Sequence, residues 1–398
     1  MTVYIKPSKA CGKISAPPSK SMAHRALICA ALSNGSEVSN IALSDDITAT
    51  VNALKVLGAS VSLNGDKVTI GGISPQSIKK VIINAGESGS TLRFLIPLCM
   101  LSGADITFIG ASRLFRRDLS VYEKIAKEQG IVFNLSDSSL HIKGVLRAGE
   151  YSVRGDISSQ FVSGLMFALP LLEGDSFIKF DTPVESKPYI EMTVDMLKHF
   201  GIHIECKNDG YYIEGGQRYK NFDYTVEGDY SNAAFLDAFN LLDGSVEVGG
   251  LNPDSTQGDR IYKEYFKTLT SGGSYDLSDC PDLAPLLFAL SAELVGAKFT
   301  GTARLKIKES DRASSMSEEL SKFGAKVLVS ENELEIKETK LHSPSVPLSS
   351  HNDHRVVMAL SLLLSVYGGE IEGAEAVNKS YPGFFKDIKS LGIEVQIK

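Results

Sequence analysis

Ala53-Leu54-Lys55-Val56-Leu57-Gly58 reads as the end of an amphipathic helix closed by glycine, with a short alternating run behind it. The same phrase returns at residues 125–130, 196–201, 265–273, 319–324 and 388–392. Glycine suits these helix ends because it enters the left-handed conformation without a Cβ penalty. Behind each glycine the period changes to two, as at 327–329 and 334–336 around a turn at Asn332, which predicts strands. A second phrase alternates with the first: a helix apolar on every side, then glycine, then a strand. Its helices cover 26–32, 92–101, 161–172, 233–242, 284–294 and 356–366. A helix without a polar face is buried. The glycines that follow, Gly35, Gly103, Gly174, Gly244, Gly296 and Gly368, are 68, 71, 70, 52 and 72 residues apart. This period predicts an α/β fold of six βαβαββ-like units, one of them shortened.

Six units in 398 residues suggest two domains of three. The fourth unit begins near Gly228-Asp229. The first strand, 3–14, has no unit of its own and is assigned to the last one, which places both termini together. The expected domains are therefore 1–18 with 229–398, and 19–228, with Pro17-Pro18 at the first crossover. Hydrophobic residues at 43% and charged residues at 22% are ordinary for a globular protein. A net charge of −7 argues against a general nucleic-acid or membrane-surface binder. The five cysteines are scattered without a C-x-x-C, so neither a disulfide framework nor a zinc ribbon is expected, and a reducing compartment fits. Residues 1–7 show no secretory pattern. The longest apolar runs, 161–172 and 356–367, fall short of the roughly 18–20 residues that span a bilayer. A cytoplasmic location is expected.

The unusual polar residues gather at the starts of the apolar helices. They are Ser19-Lys20-Ser21 with His24-Arg25; Glu87-Ser88-Gly89-Ser90-Thr91 with Arg93; Ser158-Ser159-Gln160; Asp229-Tyr230-Ser231-Asn232; Asp279-Cys280-Pro281-Asp282; and Asn352-Asp353-His354-Arg355. Ser, Thr, Asn and Asp there are ordinary N-caps. Lys20, Arg25, Arg93, His354 and Arg355 are not, because positive charge opposes the macrodipole at a helix N-terminus. At equivalent points of a repeat they suggest anions held by cations and helix N–H groups together. Four further loops are basic: Ser112 to Asp118 with Arg116-Arg117, Glu185-Ser186-Lys187-Pro188-Tyr189, Lys306 to Arg312, and Asn378-Lys379-Ser380. Singly each reads as a solvated loop; jointly they predict a cationic cleft between the domains for a small polyanion. Asp282, Glu309 and Asp353 are the acids available there for proton transfer. No G-x-x-x-x-G-K-[ST], G-x-G-x-x-G or G-x-S-x-G is present. His199 and His203 are separated by a helix-ending Gly201, and no further ligands accompany His351 and His354 in the sequence, so no metal is expected.

The ordered set Ser19-Lys20-Ser21 with Arg25, Gly89-Ser90-Thr91 with Arg93, Ser158-Ser159-Gln160-Phe161, Ser186-Lys187-Pro188-Tyr189, Lys308-Glu309-Ser310-Asp311-Arg312 and Asn352-Asp353-His354-Arg355 resembles the enolpyruvyl transferases over the whole chain. Among them it is most similar to the 5-enolpyruvylshikimate-3-phosphate synthase family. The resemblance implies two domains of three βαβαββ units, and transfer of the enolpyruvyl group of phosphoenolpyruvate to shikimate 3-phosphate without a cofactor, in a monomer. It also implies residue roles. Lys20, Ser21, Arg25, Ser158, Ser159, Gln160, Ser186, Asp282 and Lys308 would bind shikimate 3-phosphate. Lys20, Gly89, Arg117, Gln160, Arg312, Arg355 and Lys379 would bind phosphoenolpyruvate. Asp282 and Glu309, with Lys20, would move protons. Pro18, Glu87 and Arg304 stand where relatives commonly have other residues, which bears on affinity and inhibitor response. The sister family that acts on UDP-N-acetylglucosamine usually has a reactive cysteine where this chain reads Gly110 to Arg117 without one. A binding protein on the same scaffold would be expected to lose Asp282, Glu309 or Lys20, and all three are present.

Overall fold

A computed structural model describes all residues from Met1 to Lys398. The chain divides into two compact units. One is an inserted unit, Pro18–Glu227; the other is a terminal unit made of Met1–Pro17 and Gly228–Lys398.

In the inserted unit the pattern is clearest between Val81–Gly86 and Ser139–Lys143. Val81–Gly86 pairs parallel with Ile106–Gly110, which pairs antiparallel with Ser139–Lys143, and Val132–Leu135 closes the outer edge. A parallel pair needs a crossover, and the helix Gly89–Cys99 supplies it. The sheet of Glu150–Val153, Ser176–Phe180, Gly210–Ile213 and Glu205–Lys207 repeats the order. The third sheet, of Ser36–Ser39, Lys67–Gly71 and Ser60–Asn64, takes its first strand from Tyr224–Thr225 at the far end of the unit.

The terminal unit repeats the order in Ser274–Asp276, Ala297–Thr300, Glu333–Lys337 and Lys326–Val329. Its N-terminal segment departs from the sequence reading. The expected strand 3–14 is two strands in two sheets. Thr2–Lys6 completes the last sheet between Gly369–Glu372 and Glu394–Ile397. Cys11–Ser15 instead pairs parallel with Ser245–Gly249 and opens the fourth unit. Pro7 explains the break, because proline has no N–H to give a ladder. The shortened unit is this two-stranded one. Its edge is partly closed by Asn240, whose side-chain amide accepts from Val246 N at 2.7 Å and donates to Val246 O at 2.9 Å. The amide thereby stands in for a missing strand neighbour.

Five of the six apolar helices start on a side-chain cap: Ser19, Ser88, Ser158, Asp229 and Asp353 each accept from a backbone N–H two or three residues on. The sixth, Ala284–Glu293, has no side-chain cap. Each unit has its own buried apolar core. Gly130 ends its helix at φ 70°, as the sequence predicts. Gly164 serves close approach: a Cβ there would lie 2.4 Å from Arg93 O and 2.2 Å from the Tyr122 hydroxyl. It lets the helix Ser159–Ala168 sit against Gly89–Cys99. No helix is long and apolar enough to cross a membrane.

Candidate active site

In the inserted unit, Lys20 opens the helix Lys20–Leu32 and its Nζ lies 2.8 Å from Asp46 Oδ2. Arg25 is buried one turn later. It donates from Nη1 to Ser21 O (2.7 Å), from Nη2 to Tyr189 O (2.8 Å) and from Nε to Thr193 Oγ1 (2.8 Å). It thereby fastens this helix to Lys187–His199, which begins after Ser186, a buried residue at φ 55°. Burial lowers the Arg25 pKa to about 10. The neighbouring His24 is fully buried, and burial together with Lys20 and Arg25 holds its pKa well below the ordinary value.

A second group forms around the helix Gly89–Cys99. The Arg117 guanidinium lies against Gly89: a Cβ on that glycine would come within 2.6 Å of Nη1. Gln160 accepts from Arg93 Nη1 at 2.8 Å and donates to Ser90 Oγ at 2.9 Å. Ser158 caps the next helix, and Ser159 is buried beside it. Buried hydroxyls join the groups. His24 Nδ1 meets Thr50 Oγ1 at 2.8 Å, Thr50 meets Thr91 Oγ1 at 2.6 Å, and Thr91 donates to the Ser88 cap at 2.7 Å.

The terminal unit gathers the other predicted residues. Arg312, 1% exposed, donates from Nε to Asp353 Oδ2 (3.0 Å), from Nη1 to Asp282 Oδ1 (2.8 Å) and from Nη2 to Glu309 Oε2 (2.9 Å). Lys308 Nζ is 3.6 Å from Asp282, and Arg355 Nη2 is 3.5 Å from its other oxygen. Arg355 Nη1 donates to Asn232 Oδ1 at 3.0 Å, and its guanidinium lies 5.7 Å from the Phe235 ring centre. Lys379 donates to Asn352 O at 2.7 Å. Among buried donors without a hydrogen bond are Nε of Arg117, Nε of Arg355 and Nδ2 of Asn232. Such orphans are rare in folded proteins and fit sites that take a polar ligand.

The acids expected among these cations are their direct partners. In the terminal unit Lys308, Arg312 and Arg355 face Asp282, Glu309 and Asp353. Cations out of water need counter-charges, and these acids supply them. Burial would raise the Asp282 pKa, but Lys308, Arg312 and Arg355 outweigh it and hold it well below the ordinary value. Asp353 was expected among the proton-transfer acids, and the structure gives it another role. It is fully buried and accepts from Arg355 N, Arg312 Nε and Ser310 Oγ. Burial raises its pKa, but Arg312 more than offsets this and the net shift is downward, so it acts as an N-cap and charge anchor.

Burial lowers the Lys308 pKa to about 8, with Asp282 resisting the fall. Between that value and the unfolded 10.5, the unfolded chain binds more protons, so this lysine makes stability rise with pH. Lys308→Met is expected to flatten the slope of unfolding free energy between about pH 8 and 10 in denaturant titrations. An unchanged slope would contradict the shift.

Sequence reading missed the partners that arrive from elsewhere in the chain. Asp46 reads as an ordinary first-turn acid of Asp45–Val56. Asp259, which accepts from Ser231 Oγ, carries no periodic signal; burial and then Asp282 raise its pKa to about 6. Asn232 lies in the first turn of the helix Tyr230–Asp237, but nothing in the sequence there announces its bond to Arg355. His351 has no companion ligand nearby in sequence, whereas the fold brings Glu319 within 2.8 Å and Glu318 within 4.0 Å of its Nε2. Glu319 is already engaged by Lys322 and Ser349 N, an arrangement that fits structural anchoring.

Two bodies built of βαβαββ units, with polar clusters at the starts of their buried helices, have the architecture of an enolpyruvyl transferase fold. The solved structure of EPSP synthase from Acinetobacter baumannii matches it with a TM-score of 0.79 and 22% identity, covering 100% of both chains. The family model for EPSP synthase (3-phosphoshikimate 1-carboxyvinyltransferase) matches residues 5–388. The 3-phosphoshikimate 1-carboxyvinyltransferase of Clostridium kluyveri is 43% identical over 99% of this chain and 98% of its own. That of Clostridium acetobutylicum is 42% identical over the same shares. The chain belongs to the EPSP synthase family.

Proposed function

We propose that the chain transfers the enolpyruvyl group of phosphoenolpyruvate to the 5-hydroxyl of shikimate 3-phosphate, releasing phosphate. Lys20, Ser21, Arg25, Ser158, Ser159, Gln160, Ser186 and Lys308 hold shikimate 3-phosphate. Lys20, Gly89, Arg117, Gln160, Arg312, Arg355 and Lys379 hold phosphoenolpyruvate. The observation that carries the reading is the Arg312 hub, which fixes Asp282 and Glu309 on one guanidinium beside Lys308 and Arg355.

Addition and elimination need a base for the hydroxyl and an acid for the methylene carbon. Glu309, a carboxylate on Arg312 in the free protein, takes up a proton beside the negative charge of bound phosphoenolpyruvate and gives it to the methylene carbon. The 5-hydroxyl oxygen bonds to the adjacent carbon, and its proton passes to Asp282. The tetrahedral adduct then loses a methyl proton back to Glu309. Its carbon–oxygen bond to phosphate breaks, and Asp282 returns its proton to the leaving phosphate. Asp282 is ionised, as a base must be, but three cations weaken it. Substrate anions that draw Lys308 and Arg355 onto themselves strengthen it when it is needed. Fixed cations also stabilise charge developing on the transferred group without reorganisation.

Purified protein with phosphoenolpyruvate is expected to release phosphate with shikimate 3-phosphate and not with UDP-N-acetylglucosamine. Release with the second acceptor alone would move the chain to the sister activity. The protonated state of Lys308 sets an alkaline limit. kcat/KM is expected to fall above about pH 8, and Lys308→Arg to move that limb beyond about pH 9.5, because a guanidinium keeps its charge. An unmoved limb would assign it to another group.

A further inference from the structure

We propose that the buried pair His351–Glu319 is a positioning device for Lys379. Glu319 lies in the helix Arg312–Ser321, which carries Arg312 at its first residue. Its carboxylate is fully buried. It accepts from Lys322 Nζ at 2.9 Å, from Ser349 N at 2.9 Å and from His351 Nε2 at 2.8 Å. A carboxylate oxygen can only accept, so the hydrogen of that last bond is on the ring nitrogen.

From this anchor the chain turns through two consecutive non-glycine residues in the left-handed region, His351 at φ 48° and Asn352 at φ 55°. Histidine and asparagine are among the side chains that tolerate the region best, but two in succession persist only where the surroundings fix them. Ser350 supports the turn by accepting from Asn352 N at its hydroxyl and from Asp353 N at its carbonyl. The turn presents the Asn352 carbonyl to Lys379 Nζ at 2.7 Å, and the next residue, Asp353, to Arg312. One helix thus holds Arg312 at one end and, through Glu319 and His351, fixes the carbonyl that aims Lys379. Without the His351 bond the turn can relax to extended backbone, and that carbonyl rotates away from the lysine.

The role in substrate binding rests on the function proposed above; the geometric link does not. Amine labelling with acetic anhydride, read by mass spectrometry on the unliganded full chain, tests the link. In His351→Ala the labelling rate at Lys379 is expected to rise about five-fold, while Lys20 stays within about two-fold. In steady-state assays the same variant is expected to raise KM for phosphoenolpyruvate about ten-fold, with KM for shikimate 3-phosphate and kcat within about three-fold. His351→Gln keeps a side-chain N–H and is expected to restore both readouts most of the way. If the alanine variant folds poorly, His351→Asn, which tolerates the left-handed turn but is too short to reach Glu319, takes its place with the same expected changes. An unchanged Lys379 rate in the folded variant that lacks the His351–Glu319 bond overturns the proposal. So does a raised rate with an unchanged KM for phosphoenolpyruvate, which would leave the pair a purely structural role. If wild-type protein shows no turnover with these substrates, the functional reading fails while labelling still decides the link.

Discussion

Arg312→Met is expected to end enolpyruvyl transfer and to destabilise the terminal unit by about 3–5 kcal/mol. The cause is the arrangement of its partners. Three carboxylates, on Asp282, Glu309 and Asp353, converge on one guanidinium that is 1% exposed. Removing the cation leaves those charges facing one another in a poorly solvated place, with Lys308 and Arg355 too few to answer them. For a unit of this size the loss corresponds to a fall of about 10 °C in its unfolding midpoint. Arg312→Lys separates charge from geometry. An ammonium keeps the charge, but it is a point donor and cannot replace three bonds aimed along a planar fork. It is expected to recover more than half of the stability and to stay about a thousand-fold down in kcat/KM. Calorimetry with phosphate-release kinetics on the two variants checks both statements. A methionine variant as stable as wild type would show that the hub contributes little to the fold.

Asp282→Asn has the opposite profile. It keeps shape and removes the base, so kcat is expected to fall about a thousand-fold. It also removes a charge that faces three cations. Affinity for the anionic substrates is therefore expected to hold or improve, with KM no higher than in wild type. A carboxyl whose pKa is depressed on folding stabilises the native state above its unfolded value of 3.8, and that contribution is lost as the pH falls through the folded value. Wild type should therefore lose melting temperature more steeply than the variant as the pH falls from about 5 to 3. A variant retaining more than about a tenth of wild-type kcat would take the base role away from Asp282.

Much of this fold is legible in the sequence because its repeats are punctuated by local chemistry. Gly130 and its counterparts mark helix ends by a conformation that other residues adopt at a cost. Helices such as Ala284–Glu293 declare burial by having no polar side. The strands borrowed from a distance are not legible in this way. Tyr224–Thr225 is two residues long, too short for a period, and it completes a sheet whose other strands lie near the start of the inserted unit. Cys11–Ser15 was concealed by its neighbour Thr2–Lys6, although Pro7 between them is the signal that separates the two.

The site divides along the same line. Lys20, Arg25, Arg93 and Arg355 stand out because a cation at a helix start needs a reason. Their partners do not stand out. Asp46, Asn232 and the Asn352 carbonyl are unremarkable residues until tertiary packing sets them against Lys20, Arg355 and Lys379. The sequence pattern reports charge; the balance of charge in the terminal unit is a product of packing.

In the proposed reaction the enolpyruvyl group moves with cleavage of its carbon–oxygen bond, at a centre where Asp282 and Glu309 exchange protons. Phosphoenolpyruvate labelled with oxygen-18 at the bridging position distinguishes the two bonds that could break. With shikimate 3-phosphate as acceptor, the phosphate released is expected to carry the label. Unlabelled phosphate, with oxygen-18 left in the pyruvyl fragment, would mean cleavage at phosphorus and would rule out addition and elimination at this site.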